Sequence, residues 1–67
     1  MVKQPKFVIF EDKAGEFRWR LVAGNGEPVA ASESYPHHQM AVNSAYRVKE
    51  IANLATVVTE VPKERQK

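Results

Sequence analysis

Three features predict an α+β fold, with three antiparallel strands in a meander, one helix on one face, and a final extended segment. Residues 17–22, Phe-Arg-Trp-Arg-Leu-Val, alternate apolar and basic side chains; glycine-containing turns flank that stretch; small apolar residues recur at helical spacing over 41–52. Side chains on a strand point alternately to opposite faces, so Phe17, Trp19 and Leu21 share one face and Arg18, Arg20 and Val22 the other. The first face reads as a core face.

Strand one spans residues 6–12, rich in β-branched and aromatic side chains. Asp12-Lys13-Ala14-Gly15 reads as a short hairpin loop with Gly15 at a position needing positive φ. Strand two returns antiparallel over 16–23. Strand one is apolar on both sides, Phe7 and Ile9 against Val8 and Phe10, so one pair joins the Trp19 face and the other lies beside the arginines. That second face is half apolar, and a second copy of the chain is the expected cover for it.

Asn25-Gly26 is a strong hairpin signal and predicts a two-residue type I′ turn. A third strand then spans 28–33, with Pro28 tolerated at its start. This register sets Arg18 opposite Glu33 and Arg20 opposite Ala31, giving Arg18 a cross-strand carboxylate. Ser34-Tyr35-Pro36 ends the strand, and the helix is expected to begin at Pro36 or His37. Ala41, Ala45, Val48 and Ala52 form one helical stripe whose small side chains let the helix sit close over Phe17, Trp19 and Leu21. The expected core is Phe17, Trp19, Leu21, Ala45 and Val48. Residues 54–61 form a last extended segment whose exposed Val57-Val58 invites pairing with another chain.

The 67 residues allow one domain, and a chain of this size buries only about 60% of the surface its unfolded form exposes. Scaffolds this small are usually reinforced by disulfides, metals or oligomerisation; with no cysteine, oligomerisation is the expected route. Residues 1–5 are expected to be a flexible lead-in, 6–61 a single domain, and 62–67 a mobile charged tail. The net charge of +2 is too small to mark a nucleic-acid binder by itself. No apolar run reaches membrane-span length and no hydrophobic stretch suited to a secretion signal follows the lead-in, so a cytoplasmic protein is expected.

Signals for chemistry are sparse. His37 and His38 are adjacent, so on a helix they diverge by about 100° and do not share a face. They are read as surface residues at the helix start, with no metal site and no cofactor. Ser32, Ser34 and Ser44 lack a nucleophile elbow, and no glycine-rich phosphate loop precedes the helix. No catalytic residue is assigned. Glu11, Asp12 and Glu16 crowd the first hairpin end and read as a solvated acidic turn.

Residues 6–21, followed by Asn25-Gly26-Glu27 and by Ala31-Ser32-Glu33-Ser34-Tyr35, resemble the YegP-like (DUF1508, UPF0339) family of small bacterial and archaeal proteins of uncharacterised function. The aromatic-Arg-aromatic-Arg-Leu, Asn-Gly and Ser-Glu-x-Tyr elements fall in the family's order across about residues 6 to 52. His37-His38 departs from the small polar residues usual there. The resemblance implies a β-β-β-α-β unit that dimerises into a continuous sheet with exchanged C-terminal strands; with no internal repeat, this chain corresponds to the one-unit homodimeric form. It also directs functional attention to Arg18, Arg20 and Tyr35 as possible ligand or nucleic-acid contacts.

The function expected is therefore that of a non-enzymatic homodimeric interaction or accessory module, with the chain itself as partner and no membrane association. Two alternatives stand beside it: a nucleic-acid-binding protein using the basic sheet face, and an enzyme or metal-binding protein with its site at the dimer interface.

Overall fold

The computed structural model describes residues 3–62. Part of the expected lead-in and nearly all of the expected charged tail, residues 1–2 and 63–67, lie outside the described residues. Strands β1 (Lys6–Glu11), β2 (Phe17–Val22) and β3 (Pro28–Ala31) form an antiparallel sheet in the order β1-β2-β3, and helix α1 (His38–Ala52) packs across β1 and β2. No described helix is long and apolar enough to cross a membrane.

The two hairpin loops share one design. In the first, the Gly15 N–H donates to the Asp12 carbonyl at 3.0 Å and the Asp12 N–H to the Glu16 carbonyl at 2.7 Å. In the second, Gly26 donates to Ala23 and Ala23 to Glu27, each at 2.9 Å. Gly15 and Gly26 have φ of 82° and 92°, whereas among the described residues no non-glycine residue has positive φ. The second loop is thus a three-residue connection closed by a left-handed glycine, not the expected two-residue type I′ turn, which would have needed positive φ at Asn25 as well.

The extra loop residue is compensated within the ladder. Val22 pairs with Pro28, the register shifts between Leu21 and Val22, and beyond the shift Leu21 pairs with Ala30 and Arg20 with Ala31. Arg20 and Ala31 are therefore opposite each other, as expected, through a different turn and a bulge. Regular pairing in β3 ends at Ala31, two residues short of the expected end. Ser32 replaces the ladder there: its N–H donates to the Trp19 carbonyl, and its hydroxyl accepts the Trp19 N–H, both at 2.9 Å. The chain rejoins β2 where Phe17 and Tyr35 exchange backbone hydrogen bonds.

The β1/β2 register sets Phe7 opposite Leu21 and Ile9 opposite Trp19, so Phe7 and Ile9 join the helix-facing side of the sheet. Trp19 is 5% exposed, with its ring edge-on to Phe7 at a centroid distance of 5.0 Å. Ala41, fully buried, and Ala45, buried, bring α1 close to the sheet. Of the expected core, Trp19 and Ala45 are buried, while Phe17, Leu21 and Val48 are half-buried because α1 covers only part of the sheet. The helix starts one residue later than the latest expected start, with His37 extended as the cap residue and lacking a side-chain cap bond.

Residues 54–61 join no strand of this sheet. Leu54, Val57 and Val58 are 81%, 95% and 71% exposed.

Candidate interaction surface

The alternation of β1 and β2 places the functional candidates on both sides of the sheet. Arg18 and Arg20 stand on the side away from α1, with Lys6, Val8, Phe10 and Val22; the cross-strand pairs are Lys6 with Val22, Val8 with Arg20 and Phe10 with Arg18. Tyr35 lies on the helix side and does not meet the arginines. Its hydroxyl donates to Ser44 Oγ at 3.0 Å, and Trp19 Nε1 donates to the same oxygen at 2.9 Å. Tyr35 thus ties the segment after β3 to the helix. Ser44, which carries no nucleophile signature in sequence, serves as the acceptor that lets an indole and a phenol enter the core with their polar atoms satisfied.

Arg18 is not paired with Glu33. Its Nε donates to Asp12 Oδ2 at 3.0 Å, because the first loop turns the Asp12 carboxylate back over β2. The other oxygen, Oδ1, accepts the N–H groups of Ala14 and Glu16, both at 2.9 Å. The Glu16 N–H foremost, then the Arg18 side chain and the Ala14 N–H, hold the Asp12 carboxyl below its usual value, outweighing a partial loss of hydration. What reads in sequence as a solvated acidic turn is a carboxylate committed to its own loop and to one arginine.

A group whose folded pKa is depressed contributes stability that is fully present above its unfolded pKa and is lost as pH falls through the folded value. The melting temperature is therefore expected to fall as pH is lowered from about 5 to 2, part of that fall arising from Asp12. Asp12→Asn should lower stability above that window and flatten the slope within it, as read by thermal denaturation across the pH series. Equal slopes for parent and variant would remove Asp12 from the account.

Arg20 is held differently. Its guanidinium carbon lies 4.5 Å from the centroid of the Phe10 ring. Val8, Phe10 and Val22 are half-buried within a single chain. On the half-apolar face expected to need a second copy as cover, Phe10 already has its own arginine over it. The large apolar side chains that remain exposed among the described residues are Val29 on β3 and Met40, Tyr46, Ile51, Leu54, Val57, Val58 and Val61 on the helix and the segment after it.

On the helix side, a groove of about 270 Å³ runs beside β1, lined by Phe7, Ile9, Val42, Ala45, Tyr46 and Lys49. β1 is an edge strand, so the backbone groups on its outer side have no ladder partner within the sheet. His38 stacks edge-on to Phe17 at 5.5 Å, and His37 is exposed. Among the described residues no group of three or more His, Cys, Asp or Glu comes together as a metal site.

Residues 12–58 match the family model described as a domain of unknown function, DUF1508. A UPF0339 protein from the 5′ region of the ptx operon of Stutzerimonas stutzeri is 48% identical over 46 residues, 69% of this chain, which spans only 41% of that relative's length. A UPF0339 protein of Treponema denticola is 42% identical over 53 residues, covering 79% of this chain and 91% of the relative. A solution structure of a protein from Haloferax volcanii superposes with a TM-score of 0.76 at 36% identity, over 87% of this chain and 98% of that one. The order of strands and helix, the length matched and these identities agree: the chain belongs to the DUF1508 (UPF0339) family, for which no function is established.

Proposed function

We propose that this protein is a non-enzymatic homodimeric interaction module whose two copies exchange residues 54–61. The observation that carries this reading is the exposure of Leu54, Val57 and Val58 on an extended segment that follows a short domain. Burial of such a run against protein stabilises by roughly 25 cal/mol per Å² of apolar surface, a large gain for a domain of this size. The receiving site lies beside β1. A strand laid along the free edge of the six-residue β1 gains backbone hydrogen bonds, and alternate side chains enter the groove between Phe7, Ile9, Val42 and Tyr46. The eight residues 54–61 are long enough to cover that edge. Work in the reducing cytoplasm accords with the absence of cysteine.

Light scattering on the full chain at micromolar concentration is expected to give twice the mass of one chain. Removing residues 54–67 should abolish the dimer, and Val57→Asp/Val58→Asp should do the same, because one of the two charges enters the groove in either register. A single-chain mass for the intact protein, or a dimer that survives the truncation, would overturn the exchange. The intact protein decides even where the variants fail to fold.

A further inference from the structure

The face of the sheet opposite α1 is untouched by the proposed exchange and carries chemistry of its own. Three cations on or beside it, Lys3, Lys6 and Arg20, have no carboxylate at ion-pair distance among the described residues, where the one ion pair is Arg18 with Asp12. Lys6 and Arg20 are diagonal neighbours across the β1/β2 ladder, about 7–8 Å apart, and Arg18 follows Arg20 about 7 Å further along β2. Arg18 has only Nε engaged, so the outer edge of its guanidinium remains open to an acceptor among the described residues.

The line of cations continues past the end of the ladder. Lys3 and Lys6 border an open cleft of about 590 Å³ with Val22, Gly24 and Asn25. The lead-in passes so close here that a Cβ on Gly24 would stand 2.5 Å from the Lys3 carbonyl oxygen. Glycine at 24 is what allows the backbone at Lys3 to lie against the turn, so both lysines border one concavity.

We infer that this face binds a single strand of nucleic acid, its phosphates running along Arg18, Arg20, Lys6 and Lys3 and a base stacking on the Arg20 guanidinium. Phe10 is the second half of the device. It holds Arg20 down on the sheet at 4.5 Å, so the guanidinium offers a flat cationic platform instead of a freely swinging charge. Unpaired bases stack on arginine planes as they do on aromatic rings, whereas the bases of a duplex are shielded in the stack. The apolar floor of Val8, Phe10 and Val22 suits base faces and sugars better than it suits the fully hydrated backbone of a duplex.

The test is fluorescence anisotropy of a labelled mixed-sequence 12-mer, single-stranded and as a duplex, titrated with the full chain at about 50 and 200 mM salt. Micromolar binding to the single strand is expected, weakening with salt, with the duplex bound less tightly. Lys6→Gln/Arg20→Gln should weaken binding about tenfold or more and reduce the salt slope by about two, roughly one for each cation removed. Arg47→Glu changes the net charge by the same two units on the exposed side of α1 and should leave binding near the parent value. Phe10→Leu, which keeps apolar volume but frees Arg20, should lose single-strand preference while keeping salt dependence. No binding at low salt, equal losses for the sheet and helix variants, or equal affinity for duplex would each overturn the inference. Circular dichroism melts confirm that each variant is folded. The protein mass, measured in the same samples, separates failure of this site from failure of the dimer.

Discussion

Trp19→Ala is expected to unfold the domain or to leave it with a broad, early melting transition. The indole is nearly enclosed, packs edge-on against Phe7 and reaches Ser44 through its N–H, so truncation opens a cavity and removes a hydrogen bond together. Trp→Ala substitutions in cores cost about 3–5 kcal/mol. A single hydrophobic core in a chain this short rarely supplies more than about 3–5 kcal/mol, so the loss is comparable with the whole. Trp19→Phe separates the two contributions. It keeps an aromatic ring against Phe7 but leaves Ser44 with only the Tyr35 hydroxyl as donor, and should lose a smaller share of stability. Urea denaturation followed by circular dichroism reads both variants. A cooperative transition for Trp19→Ala near the parent midpoint would mean that the ring is not what holds the sheet to the helix.

How far this arrangement was legible follows from which interactions are local. The two-residue period of 17–22 assigns Trp19 to the core and the arginines to the far face without any knowledge of the partner strand, because a one-residue slip would turn every side chain over. The helical stripe led by Ala41 and Ala45 is legible for the same reason. The partner of Arg18 was not. Glu33 is the expected cross-strand neighbour, but β3 ends before it, and the carboxylate that arrives is Asp12, delivered by backbone hydrogen bonds in a loop. The second turn also escapes the dipeptide rule. Asn25-Gly26 signals a hairpin, yet whether two or three residues close it depends on the register shift between Leu21 and Val22, which belongs to the ladder rather than to the turn. Ser44 escapes for a simpler reason: a serine in mid-helix has no local mark of the indole and phenol that converge on it from β2 and from the segment after β3.

Ala41→Leu and Ala45→Leu should part company, although both enlarge a buried alanine in the same helical stripe. Ala41 is fully enclosed and borders none of the open space beside β1, so three added carbons must lift α1 or displace core side chains; overpacking of this kind costs about 1–3 kcal/mol. Ala45 lines the groove of about 270 Å³, which can accept a larger side chain with little movement of the helix. Thermal melts of the single substitutions should therefore show Ala41→Leu markedly less stable and Ala45→Leu near the parent when each is compared with the chain truncated after residue 53. In the full chain the order of the effect on self-association reverses. A leucine at 45 occupies the space that residues 54–61 of a second copy would fill, so Ala45→Leu should weaken the dimer in sedimentation or light scattering. Ala41→Leu, where it folds, should dimerise at the parent concentration. If Ala45→Leu left the dimer intact, the groove would not be the seat of the exchanged segment, whatever the mass of the parent protein.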